Sequence, residues 1–188
     1  MNTDTIISIF LGIGLSASVG FRVFVPLFAL SLAAHFNLWE LNDSWQWIGS
    51  LVAVVTFGVA TVVEVFGYYI PYIDHALDTI AIPLATIAGV MVMVSTVADL
   101  SPVVTWALAI IAGGGTAGAI AGGSGVARLA STATTGGLAN PVVSSIETSS
   151  ALGMTVLSLF LPTIAFILVV LILFFVYKRF KKIRRSKA

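Results

Sequence analysis

Residues 5–34 read TIISIFLGIGLSASVGFRVFVPLFALSLAA, thirty positions in which Arg22 is the single charge. As one straight helix they would cover about 45 Å, against a bilayer hydrocarbon core of about 30 Å. The segment therefore has to tilt, break or turn back. Its own composition favours a break: Gly12, Gly14, Ser16, Ser18 and Gly20 weaken helical hydrogen bonding, and Pro26 interrupts it. Outward from this stretch the chain stays apolar. Of its 188 residues, 59% are hydrophobic and 9% charged, whereas a soluble domain carries roughly a quarter charged residues to cover its surface. That excludes a water-soluble globular domain and leaves an all-α polytopic membrane bundle. With no cysteine, disulfides, thiolate metal sites and cysteine nucleophiles are excluded too.

The charges are unevenly placed. Lys178, Arg179, Lys181, Lys182, Arg184, Arg185 and Lys187 crowd the end of the chain. This divides it into one transmembrane domain, 1–177, and a basic tail, 178–188. By the positive-inside rule that tail is cytoplasmic, which sets a multi-pass protein in the inner (plasma) membrane. A basic run beside a span also attracts anionic lipids, so membrane lipids are expected partners and nucleic acid is not.

Further spans are expected from Trp47 to Tyr69, from an Asp74 N-cap to about Val97, from Ser101-Pro102 onward, and from Ala151 to Val176. Trp39, Trp45, Trp47, Tyr68, Tyr69 and Tyr72 suit the lipid–water interface. Gly114, Gly118 and Gly122 recur every fourth residue, the spacing of a close helix-packing face and a route to a homo-oligomer. Residues 123–147 are rich in Gly, Ser and Thr and interrupted at Asn140-Pro141, which fits a discontinuous or re-entrant helix. The total is five to six hydrophobic segments, with interrupted helices at 5–34 and 123–147.

Two arginines lie outside the tail, Arg22 and Arg128, and each follows a run of small residues. Paired interrupted segments of this kind point to a transporter site at an inverted-repeat interface. An arginine at bilayer depth costs about 2.5 to 3.5 kcal/mol on insertion scales, so it is paired or faces water. Arg22 and Arg128 are therefore candidate anion ligands, or else partners of Glu64 and Glu147 that fix the bundle. Glu64, Asp74, Asp78 and Glu147 are candidate groups for coupling protons or a cation. Asp74, His75 and Asp78, spaced at one helical turn, are candidate metal ligands, with simple N-capping as the competing role. The glycine run lacks the Gly-Lys-Ser/Thr ending of a phosphate loop, and no dinucleotide-binding or His-Glu-x-x-His motif occurs. No enzymatic activity and no cofactor are expected.

With Gly20-Phe-Arg-Val-Phe-Val-Pro26, Glu64 and Asp74-His-Ala-Leu-Asp78 in view, the whole chain resembles a domain-of-unknown-function family of small bacterial membrane proteins. The Gly20–Pro26 segment also looks like the arginine-and-proline signature of re-entrant segments in DedA-like membrane proteins. That resemblance implies transport of an anionic substrate such as a phosphate-bearing lipid. The sequence thus points to a transporter of an anionic substrate, with a membrane assembly or scaffold protein, or an ion channel, as alternatives.

Overall fold

A computed structural model describes residues 2–186, and the side chains among them except Pro71 and 179–186. The basic residues Arg179, Lys181, Lys182, Arg184 and Arg185 thus have their side chains outside the described residues, and Lys187 lies outside them altogether. Among the described residues the chain forms α1 (Thr3–Phe21), α2 (Phe24–His35), a 3-10 turn (Asp43–Gly49), α3 (Leu51–Gly67) and α4 (Pro71–Thr96). There follow α5 (Pro102–Leu108), a π-helical stretch (Ala109–Gly114), α6 (Gly115–Thr135), α7 (Asn140–Phe160) and α8 (Pro162–Ser186). Among the described residues, four helices are long and apolar enough to cross a membrane, or five if the bent pair of the 3-10 turn and α3 is one span. The protein is an all-α multi-pass membrane bundle.

The long first stretch breaks at Arg22-Val23, not at its glycines. Pro26 explains the position. In a continuous helix its ring would strike the carbonyl four residues earlier, which belongs to Arg22, and would leave that carbonyl without a donor. Arg22 is accordingly extended, with φ −146° and ψ 125°. In α2, Pro26 then falls in the first turn, where its missing N–H costs nothing. The glycines stay helical and admit neighbours: a Cβ at Gly20 would lie 2.7 Å from the Ala117 carbonyl oxygen, and one at Gly12 2.7 Å from Thr96 Oγ1.

Long-range contacts trace the path of this first stretch. Gly14 lies against Ser158, Ser18 Oγ donates to the Ala151 carbonyl at 2.7 Å, and Arg22 reaches Ser144. By Trp39 the chain is back at the starting level, because the Trp39 indole N–H donates to the Leu159 carbonyl at 3.1 Å. So α1 and α2 form a helical hairpin, with Arg22-Val23 at its tip and α7 antiparallel beside α1. α8 runs parallel to α1, with Phe166 stacked on Phe10 at 4.3 Å and Ala165 against Gly14.

Two sequence expectations change here. The interruption within 123–147 lies at Gly136–Ala139, where Gly136 and Gly137 take positive φ values of 63° and 88°; Asn140 and Pro141 instead open α7. The expected span from Ala151 to Val176 is divided at Leu161-Pro162, where Leu161 leaves the helix (φ −138°, ψ 62°) as a residue before proline tends to, and Pro162 opens α8. The glycine ladder packs inside the chain: Gly114 meets Val90 and Thr86, Gly118 meets Thr86, and Gly122 has open space beside it.

Candidate functional site: a buried arginine–carboxylate cluster

The hairpin tip delivers Arg22 into the bundle, where it is 1% exposed. It ends α1 in an extended conformation, so its side chain leaves the helix end toward α7. There Nη2 donates to the Ser144 hydroxyl at 2.5 Å and to the Ser144 carbonyl at 3.1 Å, Nε donates to Thr148 Oγ1 at 3.0 Å, and Nη2 stands 3.4 Å from Glu147 Oε2. Arg128 projects from the continuous part of α6, also buried, and is ringed by carboxylates. Nη1 bonds Asp74, Nη2 bonds Glu147, Nε lies 3.1 Å from both Glu147 oxygens, and Asp78 is 3.5 Å away. Glu147 is therefore the counter-ion of both arginines. Arg22 stands at a break and Arg128 within a helix, so the two are not equivalent positions of a repeat.

The Tyr68 ring lies between these groups. The Arg22 Cζ is 3.8 Å from its centroid and the Arg128 Cζ 4.3 Å, distances at which the ring quadrupole attracts a cation. The sequence reading put Tyr68 at the membrane interface, but it is 8% exposed. Its role was legible in principle, since it follows Glu64 by one helical turn and so shares a face with it. Ser144, Thr148 and Asn140 were also missed. Asn140 and Ser144 belong to a buried polar stripe on α7 with Glu147, Thr155 and Ser158, whose spacing follows one helical face, and half-buried Thr148 lies beside it.

Glu64 bonds neither arginine directly. Its Oε1 accepts the Val23 amide at 2.8 Å and its Oε2 the Phe24 amide at 2.9 Å, so it caps the first turn of α2 from α3. Asp74 is no N-cap. α4 begins at Pro71 behind Ile70, and the Asp74 carboxylate goes to Arg128 and to the Asn140 amide, which donates to Oδ2 at 3.2 Å. His75 is exposed, and among the described residues no group of three or more His, Cys, Asp or Glu is placed to hold a metal ion. The proposed metal trio does not converge, because consecutive positions on α4 send Asp74 inward and His75 outward.

Two guanidiniums thus meet four carboxylates, Glu64, Asp74, Asp78 and Glu147, a formal excess of two negative charges at a largely buried centre. A cavity of about 70 Å³ adjoins it, lined by Phe24, Glu64, Tyr68, Asp78, Arg128 and Glu147 among others. It has room for a few waters or one small ion. Chemically the cluster can exchange protons among its carboxylates and present guanidinium donors when a carboxylate is neutralised.

A family model described as Domain of unknown function (DUF4126) matches residues 9–182. Comparison with curated proteins and with solved structures gave no match. The DedA-like look of Gly20–Pro26 gains no support from these comparisons. Residues 9–182 take in both arginines and all four carboxylates of the cluster, and the chain belongs to the DUF4126 family.

Proposed function

We propose that the protein is a transporter that moves a small anion together with a proton or another cation, with Arg22 and Arg128 as anion ligands and the four carboxylates as the coupling set. The observation that carries this reading is the sharing of Glu147 by both guanidiniums. Both arginines are already neutralised, so an arriving anion must take the place of a carboxylate. A proton on Glu147 does this. It leaves Arg22 with the neutral partners Ser144 and Thr148, and a buried guanidinium without counter-charge attracts an anion strongly. Ionised Glu147 then expels the anion, which ties the two movements together. The small cavity suits an inorganic anion or a single phosphate group better than a whole lipid headgroup.

In this reading the protein lies in the inner membrane with the end of α8 in the cytoplasm, following the basic run. The hairpin α1–α2 then enters from the opposite side and turns back beneath the cytoplasmic ends of α4, α6 and α7. The test is reconstitution into vesicles that report internal pH, challenged with phosphate, sulfate, formate and chloride. At least one anion should drive proton movement in the natural chain, and Arg22→Ala and Glu147→Gln should abolish it. If no anion moves protons through folded protein, the reading fails.

The assembly reading needs the Gly114, Gly118 and Gly122 face for a partner or a second copy. Two of those three positions are occupied by α4 of the same chain, which favours transport over assembly. An ion channel would show single-channel currents in the same vesicles.

A further inference from the structure

Asn140 opens α7 beside the cluster. Its amide N–H groups go to Asp74 Oδ2 at 3.2 Å and Thr132 Oγ1 at 3.3 Å. Its Oδ1 has no hydrogen-bond partner, although the residue is 7% exposed. Reversing the amide is no remedy, because it would set Oδ1 against the Asp74 carboxylate, acceptor to acceptor. The Ser131 hydroxyl, one helical turn beyond Arg128 on α6, is likewise buried without a partner. Oδ1 belongs to the same side-chain amide whose nitrogen bonds the Asp74 carboxylate. A buried acceptor in this position calls for a donor or a cation.

The charge balance selects between them. The cluster holds four carboxylates against two guanidiniums, and His75, on the exposed side of Asp78, supplies no buried positive charge. Water would satisfy Oδ1 and leave the excess negative charge; protons on the carboxylates would reduce that charge and leave Oδ1 unpaired. One monovalent cation pairs with Oδ1 and reduces the excess by one charge. A divalent ion wants a dense carboxylate set, and among the described residues no such group is placed for one. An alkali ion accepts neutral oxygens and a single charge.

We propose that the protein binds a monovalent cation of sodium's size at the α6–α7 side of the cluster, held by the Asp74 carboxylate and Asn140 Oδ1 with the Ser131 hydroxyl beside them. The site stands independently of anion transport. The test is thermal unfolding of the full chain in detergent, in sodium, potassium and N-methyl-glucamine chloride at equal ionic strength. Sodium should raise the melting temperature saturably above the other two salts, as a ligand of the folded state does. Ser131→Ala should shift the sodium midpoint several-fold upward, and Asn140→Leu should remove the sodium-specific part. If Asn140→Leu does not fold, the Ser131→Ala midpoint decides. Equal melting in all three salts overturns the proposal, as does an unchanged midpoint in Ser131→Ala, or a response to magnesium in place of sodium. Anion transport without a sodium response overturns this inference alone; a sodium response in a protein that moves no anion overturns the transport reading alone.

Discussion

Glu64 on α3 accepts the amide of Phe24 at the start of α2, at 2.9 Å. One carboxylate thus replaces the side-chain cap that α2 lacks, and it does so from a different helix. The neighbouring Val23 amide, at 2.8 Å, is the second donor of the same turn.

Removing this cap leaves two amides unpaired at a buried helix start. Glu64→Ala is expected to destabilise the protein by about 2 to 4 kcal/mol, the sum of a lost cap and buried unsatisfied groups. Glu64→Gln, which keeps one acceptor oxygen, should lose roughly half as much. Denaturation of the two variants in detergent checks the order; equal losses would remove the capping role.

Tyr68 contributes through its ring. Tyr68→Phe keeps the face presented to Arg22 and Arg128 and should cost under about 1 kcal/mol, while Tyr68→Leu should cost about 1 to 2 kcal/mol more. Unfolding of both variants decides it, and a Phe variant as damaged as the Leu variant would shift the role to the hydroxyl.

Glu147 is the node that both arginines share. Glu147→Ala leaves buried Arg22 without its carboxylate and removes one of the three that surround Arg128, and should destabilise by about 3 to 5 kcal/mol. Arg22→Met combined with Glu147→Ala should recover part of that loss, since the residual charge then rests on Arg128 with Asp74 and Asp78. A double-mutant cycle measures the coupling; strictly additive losses would mean that Arg22 and Glu147 do not interact.

The glycines differ sharply in their surroundings. A Cβ at Gly113 would meet the Gly89 carbonyl oxygen and Met93, whereas nothing lies within 4 Å of one at Gly122. Gly113→Val is expected to cost about 1 to 3 kcal/mol or to prevent folding, and Gly122→Val to change stability by under about 1 kcal/mol. Expression and melting of the pair test this directly.

The class, the helical content and the break within residues 5–34 were legible because composition and proline chemistry act locally. The place of that break was also written in the sequence, as the carbonyl that Pro26 would strike, but the more numerous glycines drew attention away from it. Arg22, Arg128 and Glu147 stood out as charges within apolar or small-residue stretches, Asp74 and Asp78 as acids one turn apart near a helix start, and the structure brings all five together. Pairing of the arginines with Glu147 was among the readings the sequence offered, but the Ser144 and Thr148 partners were not legible, since they lie more than a hundred positions from Arg22. Glu64 was read as an ion-pair or proton-coupling group because a sequence shows which side chains are charged and not which backbone amides a broken helix leaves open. Tyr68 was misplaced for a related reason: an aromatic residue near a helix end looks the same whether it meets headgroups or a pair of guanidiniums.

The reach of Arg22 has a consequence for how the protein is made. Its hydrogen-bond partners Ser144 and Thr148 lie 122 and 126 residues further along the chain. During synthesis the α1–α2 hairpin must therefore wait, its arginine uncompensated, until the helix that neutralises it has left the ribosome. A nascent chain halted anywhere before α7 carries in this hairpin an arginine that lacks Ser144, Glu147 and Thr148, and completion of α7 supplies all three.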